Sequence, residues 1–405
     1  MTGRPHVAVV TSHPIQYQAP WFRALAQTVD LDVYFCHRQD ARDQASAGYD
    51  LEFEWDVPLL GGYRHHWLEN RSANPSVFAF AGCDTPGIDD VIGSGGFDAC
   101  IVSGWYLKSY LQAIRACRRH AVKVLVRGDS RLGTQRSAIK STLKWVPYRV
   151  LLNRIDAHLY VGQANKEYLR HYGVADERLF FAPHFVDNDF FARGAERARA
   201  DGTAASIRDR FQIPGDATVA LFVGRLIAQK RVTDLLQALM RTRQSGANIH
   251  VLVVGSGPEA GELQALAARL DVPAHFAGFV NQRQLPAFYA ASSAIVMPSE
   301  ETWGLVVNEA MACGLPAIVS SSVGCAPDLL TEDATGYSYP IGDAGALADA
   351  LLRLLSKRRD RGDAMARAVR TRIARYSCEA AVRGTMAALA GVTREGSAAR
   401  QQEAV

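Results

Sequence analysis

Short apolar runs alternate along the chain with longer stretches that have the periodicity of amphipathic helices. The apolar runs form two series: residues 7–11, 31–35, 99–102, 123–127 and 157–161, and then 219–223, 249–254, 274–277, 294–297 and 317–320. Several runs lack alternation with polar residues, which is typical of strands covered on both faces. Helical patterns at 234–243, 258–270 and 346–356 lie between runs of the second series or after it. Strands that alternate with helices predict right-handed βαβ units, so we predict an α/β fold with two doubly wound parallel sheets in series.

The break between the two series lies near residues 183–203, where the chain becomes polar and rich in Ala and Arg. We therefore predict a first Rossmann-like domain at 1–190 and a second at 191–375. A last helix is predicted at 376–392, and the polar residues 393–405 are expected to fray.

Composition narrows the class of protein. The 405 residues are 48% hydrophobic and 21% charged, which excludes general disorder. The net charge of +4 is too small to indicate a nucleic-acid partner, and no apolar run approaches the roughly 18 residues of a membrane span. The seven cysteines include no C-x-x-C pair, so neither a zinc knuckle nor a disulfide framework is predicted. We expect a cytoplasmic enzyme.

The strongest local pattern follows the fourth run of the second series. Gly304 permits a turn, and a helix is predicted to begin at Leu305. The amides of Leu305 and Val306 would then face an anion at the helix N-terminus. Glu301 on the loop and Glu309 on the helix flank this position, and carboxylates accept strong hydrogen bonds from sugar hydroxyls. The alternative is that both are solvated surface acids.

Two further turns follow the first and second runs of the same series. Gly224 and Arg225 come directly after the first run, and Lys230 lies a few residues on. A diphosphate needs such cations, although they are equally compatible with an ordinary surface pair. Gly255 begins a G-x-G turn that lacks the third glycine of the dinucleotide fingerprint, which argues against a nicotinamide dehydrogenase.

Polar residues also follow strands of the first series. His13, Gln16 and Tyr17 lie on the loop after the first run, where His13 could carry a proton, bind a sugar or simply cap a turn. Arg127 ends the fourth run and Asp129 follows it at the corresponding position, and Asp129 is also a candidate helix cap.

The segment 131–154 is basic, with cations at Arg131, Arg136, Lys140, Lys144, Arg149 and Arg154 and no acidic residue. Trp145 and Tyr148 lie among these cations. The pattern is compatible with peripheral contact with an anionic membrane and equally with a solvated helix face. It contains no nucleic-acid-binding motif, so no nucleic-acid partner is predicted.

Residues 219–340 closely resemble the donor-binding domain of retaining family-4 glycosyltransferases. The resemblance rests on Gly224-Arg225 with Lys230, Val254-Gly-Ser-Gly-Pro, Phe276-Ala-Gly-Phe, Tyr289, Pro298-Ser, Glu301 with Glu309, Gly314-Leu-Pro and Gly336-Tyr. It implies the GT-B fold, in which two Rossmann-like domains face a central cleft and the C-terminal helix packs back on the first domain. The His13-Pro-Ile-Gln-Tyr-Gln loop is similar to a variant found in a subset of these enzymes.

The resemblance also implies roles for individual residues. Arg225 and Lys230 would hold the pyrophosphate of a nucleotide sugar, Glu301 the transferred sugar and Glu309 the ribose. The donor set is completed by the glycines and backbone groups of Gly224, Gly255, Phe279, Val280, Gly304, Leu305 and Val306, of which the pair at 279–280 would read the base. Catalysis is assigned to Arg225, Lys230, Glu301 and His13, and acceptor binding to His13, Gln16, Tyr17, Arg127 and Asp129.

The predicted activity is the transfer of a sugar from a UDP- or GDP-sugar to a hydroxyl of a glycan, a lipid-linked acceptor or a small molecule. Two cations replace the divalent ion that other transferases use, so no metal or other cofactor is expected. An epimerase or phosphorylase on the same fold is one alternative, and a non-catalytic nucleotide-sugar-binding subunit is another. The protein would be cytoplasmic or peripheral at the inner membrane face.

Overall fold

A computed structural model describes residues 4–41, 49–133 and 138–402, except for the side chains of 138–143, 358–361 and 394–402. The chain divides into two compact units. The first comprises Met1–Gln39, Pro58–His184 and Cys378–Val405, and the second comprises Asp40–Val57 and Phe185–Ser377. The division therefore lies at residues 184–185 instead of the predicted 190, and 40–57 joins the second unit, which the sequence did not predict.

The first unit is built on a seven-stranded parallel sheet with strand order β3-β2-β1-β4-β5-β6-β7. The strands are β1 His6–Thr11, β2 Asp30–Phe35, β3 Arg64–Trp67, β4 Ala99–Val102, β5 Lys123–Val126, β6 Ala157–Tyr160 and β7 Leu179–Phe181. The helices are α1 Ala19–Leu25, α2 Ile88–Ser94, α3 Lys108–Arg119, α4 Ala138–Leu152 and α5 Gln163–His171. Central strands β1 and β4 are almost wholly buried because helices cover both faces of the sheet.

The second unit has a six-stranded parallel sheet with strand order β10-β9-β8-β11-β12-β13. Its strands are β8 Thr218–Val223, β9 Ile249–Val254, β10 Ala274–Gly278, β11 Ala294–Met297, β12 Ala317–Ser320 and β13 Gly336–Tyr339. Its helices are α6 Asn188–Ala200, α7 Thr203–Arg210, α8 Val232–Gln244, α9 Ala260–Arg269, α10 Leu285–Ala290, α11 Leu305–Ala312, α12 Ala326–Leu329 and α13 Ala344–Ile373. All strand pairs in both sheets are parallel, as predicted.

Three strands were not predicted from the sequence, and each lies at a sheet edge. The edge strand β3 has the sequence Arg-His-His-Trp, with exposed and half-buried residues in alternation, so it lacks an apolar run. The edge strand β7 has only three residues, all half-buried. The edge strand β13 begins with a glycine, which weakens the strand pattern.

The chain returns to the first unit through α14, Cys378–Gln402, which packs against β5, β6, β7 and α1. This confirms the predicted packing of the C-terminal helix on the first domain. A Cβ atom at Gly384 would lie 1.8 Å from the carbonyl oxygen of Phe181, so this close helix–strand contact requires glycine. The helix extends through 393–402, where the sequence predicted a frayed tail.

Among the described residues, no helix combines the length and the apolar character that crossing a bilayer requires.

Candidate functional site

The predicted donor residues lie on loops at one edge of the second sheet. The loops follow β8, β9 and β11, and these three strands are neighbours in the sheet. Because parallel strands share their carboxyl edge, the loops come together there, where open α/β sheets bind ligands. The sequence motifs are therefore assembled by the strand order.

Two glycines let the first two loops approach each other closely. A Cβ at Gly255, which has φ +145°, would lie 1.8 Å from the carbonyl oxygen of Gly224. The Leu226 amide donates to the carbonyl of Ser256 at 2.8 Å, and the Gly255 amide donates to that of Gly278 at 2.8 Å. The loop that carries the candidate diphosphate cations is thus tied to the loop after β9, and that loop is tied in turn to β10.

Lys230 and Glu301 meet in an ion pair between the β8 and β11 loops. Their side chains are only 15% and 20% exposed, so solvent screens the pair less than a surface salt bridge. The Glu301 backbone is fixed because its amide donates to the carbonyl of Ser322 at 3.0 Å. The structure therefore brings two of the predicted donor residues into direct contact.

Glu309 is not a surface acid. Its side chain lies on α11 and the residue is 1% exposed. The Tyr289 hydroxyl of α10 donates to Glu309 Oε2 at 2.5 Å, and Tyr289 is itself fully buried. In the sequence, Tyr289 belongs to the family resemblance without a role. The structure gives it one, because a buried tyrosine hydroxyl needs a hydrogen-bond partner and Glu309 supplies it.

The N-terminus of α11 begins at Gly304, which has φ +106°. A Cβ there would lie 2.9 Å from Met297 Sδ and 3.0 Å from Val323 Cγ1, so the turn requires glycine. The first amides of a helix have no partner within the helix, and the helix dipole favours an anion beside them. Leu305 and Val306 occupy these first positions, as predicted.

In the first unit, His13 lies on the predicted loop between β1 and α1. Its Nδ1 is 2.9 Å from the hydroxyl of Ser12, and His13, Gln16 and Tyr17 are all half-buried. The side chains are therefore partly accessible, and their predicted role in acceptor binding or proton transfer stays a prediction.

Arg127 occupies a buried position that sequence analysis did not expect. Its Nη2 donates to the carbonyl of Pro183 at 3.0 Å and lies 3.4 Å from His184 Nδ1. The guanidinium lies 5.0 Å from the centre of the Trp21 ring. Burial lowers the pKa of Arg127 to about 10, against the opposing effect of Asp129. These contacts favour an anchoring role for Arg127.

Asp129 lies beside His184, with Oδ2 3.8 Å from His184 Nε2. Burial lowers the pKa of His184, and Asp129 acts in the opposite direction. His184 was not among the predicted site residues, because it follows β7 and lies far along the chain from Asp129. The sequence indicates its proximity to Asp129 only through the position of both residues after strand ends.

The basic segment is helical over 138–152, although Arg136 and the side chain of Lys140 lie outside the described part. Exposed apolar side chains accompany its exposed cations, with Trp145 37%, Val146 60% and Val150 44% exposed. The surface is thus compatible with both alternatives, and the predicted membrane contact stays a prediction.

Within the described ranges, no group of three or more His, Cys, Asp or Glu is placed to hold a metal ion. The carboxylate of Asp187 has a structural role in this unit, because its side chain accepts a hydrogen bond from the amide of Phe190 at 2.9 Å and caps the N-terminus of α6.

Comparisons with known proteins show what a segment of the second unit is similar to. Residues 204–372 match the family of glycosyl transferases group 1. A D-inositol 3-phosphate glycosyltransferase of Streptomyces avermitilis is 35% identical over 46% of this chain and 41% of its own length. A GDP-mannose-dependent alpha-(1-6)-phosphatidylinositol monomannoside mannosyltransferase of Mycolicibacterium smegmatis is 31% identical over 43% of this chain and 46% of its own. The chain thus spans about half the length of these relatives, and the family prediction is confirmed for this segment.

The fold likeness extends over both units. A glycosyltransferase from Rickettsia africae ESF-5 superposes with a TM-score of 0.72, at 13% sequence identity, over 96% of this chain and 99% of its own. The prediction of a GT-B fold with two Rossmann-like domains is therefore confirmed.

Proposed function

We propose that this chain, whose residues 204–372 form a glycosyl transferases group 1 domain, transfers a sugar from a nucleotide diphosphate to an acceptor hydroxyl with retention of the anomeric configuration. The observation that carries the proposal is the meeting of Lys230 and Glu301 at the strand edge. That edge also holds Arg225 and the N-terminus of α11. Its combination of cations, helix amides and carboxylates matches the phosphates and hydroxyls of a nucleotide sugar.

The diphosphate would bind between Arg225, Lys230 and the first amides of α11. Lys230 already has a carboxylate partner in Glu301, so phosphate binding would let the ammonium contact both anions. Glu301 would then accept a hydrogen bond from a hydroxyl of the sugar. Glu309 would face the ribose, and its bond from Tyr289 would fix the carboxylate orientation.

Transfer would proceed on one face of the sugar. The acceptor oxygen forms a bond to the anomeric carbon as the bond from that carbon to the phosphate oxygen breaks. The electron pair leaves with the nucleoside diphosphate, which takes the acceptor proton. Arg225 and Lys230 would stabilise the charge that develops on the phosphate, and stabilisation of this kind usually contributes more to the rate than any other effect. This scheme needs no divalent ion.

The relatives support a nucleotide-sugar donor, since the M. smegmatis protein is named as GDP-mannose-dependent. The base, the sugar and the acceptor of this chain are not specified by that name. We propose that the acceptor binds the first unit near His13, Gln16 and Tyr17, with Arg127 and Asp129 supporting the neighbouring loop.

The test is product analysis with the purified chain. UDP-, GDP-, ADP- and TDP-sugars are incubated with glycan, lipid-linked and small-molecule acceptors, and proton NMR determines the configuration at the new bond. Acceptor-dependent product of retained configuration supports the proposal. A changed nucleotide sugar formed without acceptor would instead indicate an epimerase, and nucleotide binding without turnover would indicate a binding subunit.

A further inference from the structure

Residues 49–57, here called the aromatic arm, belong to the second unit although they precede most of the first unit in sequence. The arm carries Tyr49, Phe53 and Trp55, which are all half-buried. An excursion of this kind needs specific contacts, because ordering a loop costs conformational entropy. The arm packs and forms hydrogen bonds with the loops at the carboxyl edge of the second sheet.

Aromatic packing places the arm on Phe279, directly after β10. The Phe53 and Phe279 ring centres are 4.4 Å apart with an interplanar angle of 42°. Tyr49 meets Phe279 edge-on at 5.9 Å, and Trp55 meets Phe53 edge-on at 5.0 Å. The four rings form one continuous cluster.

Hydrogen bonds hold the arm on both sides of this cluster. The Ser256 hydroxyl donates to the Tyr49 carbonyl at 2.6 Å. The Asn281 side-chain amide donates to the Glu54 carbonyl at 2.7 Å. The Arg283 backbone amide donates to the Asp56 carboxylate at 3.2 Å. These donors lie on the loops after β9 and β10, so the arm bridges two neighbouring strand ends.

The arm also lies beside the loop that carries the candidate diphosphate cations. Ser256, whose hydroxyl donates to the Tyr49 carbonyl, accepts at its own carbonyl from the amide of Leu226, the residue after Arg225. Burial raises the pKa of Tyr49, and Arg225 and Glu309 act on that pKa in opposite directions.

We propose that the aromatic arm forms a wall of the donor site and that the nucleoside of the donor stacks against the ring of Phe53 beside Phe279. The inference rests on the proposed function and adds Phe53 as a nucleoside-binding residue. Every nucleobase has a flat π face, so stacking on an aromatic side chain strengthens binding with little dependence on the base. Bonds from the backbone near Phe279 would then distinguish one base from another.

The experiment is titration calorimetry of the full chain with UDP, GDP, ADP and TDP, and separately with inorganic pyrophosphate. Phe53→Ala should weaken the nucleoside diphosphate that binds best by roughly tenfold or more, as expected for the loss of one stacked base. Pyrophosphate affinity should stay within about twofold, because pyrophosphate has no base to lose. Phe53→Leu keeps an apolar side chain against Phe279 and should weaken the same nucleotide.

Two matched variants complete the test. Phe53→Tyr retains the aromatic face and should bind as the wild type does. The Glu54 side chain is exposed, and only the backbone carbonyl of this residue bonds to Asn281. Glu54→Ala removes the side chain alone and should also leave the nucleotide affinity unchanged. Unchanged or tighter nucleotide binding in both Phe53→Ala and Phe53→Leu would overturn the inference, as would an equal loss for pyrophosphate. If the wild type binds no nucleoside diphosphate, the proposed function itself fails.

Discussion

At the scale of single residues, Lys230 and Glu301 explain how a strongly charged site is kept in a folded chain. An isolated charge in this partly buried position would be costly, and pairing reduces the cost. In the proposed function each partner would also bind a part of the donor, the ammonium a phosphate and the carboxylate sugar hydroxyls. The same two side chains would then stabilise the ligand-free site and bind the donor.

Replacing either candidate diphosphate cation tests this account. Arg225→Ala or Lys230→Ala should lower turnover by roughly a hundredfold to a thousandfold, because a preorganised group that stabilises developing charge is lost. Steady-state kinetics with the best donor measures the change, and thermal melting checks the fold. Arg243→Ala is the control, since Arg243 forms an exposed surface pair with Asp271. Wild-type turnover in both site variants would remove them from the mechanism.

Sequence alone placed Arg225, Lys230 and Glu301 after strand ends and Glu309 on the helix that follows β11, and their role in donor binding stays a prediction. It assigned no role to residues that reach the site from elsewhere in the chain. Tyr49 and Tyr289 arrive on an excursion and on a different helix, so their contacts depend on tertiary packing. The same reason explains why Arg127 proved to be buried against the loop after β7.

His158 gives a residue-level prediction about pH. Its Nε2 donates to the Leu152 carbonyl at 3.0 Å, and burial lowers its pKa from 6.5 to about 4. Between these values the unfolded chain binds a proton that the folded chain does not. The free energy of unfolding should therefore fall as pH falls through this range, by at most about 1.4 kcal/mol per pH unit from this group. Urea unfolding of the wild type and His158→Gln should show the steeper loss in the wild type, and identical pH slopes would refute it.

At the scale of elements, the candidate site is formed by the turns that connect strands to the helices that follow them. Central strands were predicted with small errors at their ends, because burial on both faces leaves a clear apolar run. Edge strands β3, β7 and β13 were missed, since pairing with one neighbour does not require such a run. The turns after β8, β9 and β11 could be predicted from their glycines, because glycine is needed where two backbones approach closely.

Gly255→Ala tests whether this close approach positions the site. The added Cβ would lie 1.8 Å from a backbone oxygen of the neighbouring loop, so the loop carrying Arg225 must shift. We expect a loss of roughly 1–3 kcal/mol of stability, the usual cost of a strained backbone position, together with weaker nucleotide binding. Thermal melting and calorimetry measure the two effects.

Gly261→Ala is the matched control. Gly261 lies in α9, and apart from the helix's own backbone and its chain neighbours nothing lies within 4 Å of an added Cβ. Alanine there should stabilise the helix by roughly 0.5–1 kcal/mol. If both variants behaved alike, the close approach of the loops would not be what positions Arg225.

At the scale of the whole molecule, the two compact units are not two continuous segments of the chain. Residues 40–57 join the second unit, and α14 returns to the first after the second is complete. The family resemblance implied the return of α14, but it did not imply that residues 40–57 join the second unit, because that assignment depends on contacts between distant segments. The family match covers 204–372, so the aromatic arm lies outside the segment that the comparison identifies.

The central claim is that side chains and helix amides of the second unit bind a nucleoside diphosphate without a divalent ion. Titration calorimetry with UDP, GDP, ADP and TDP in the presence of EDTA tests it most directly, using the wild type, Arg225→Ala and Lys230→Ala. We predict that at least one nucleotide binds the wild type under these conditions and binds both variants at least tenfold more weakly. Binding that requires added Mg²⁺ or Mn²⁺, or equal affinity in all three proteins, would contradict the account.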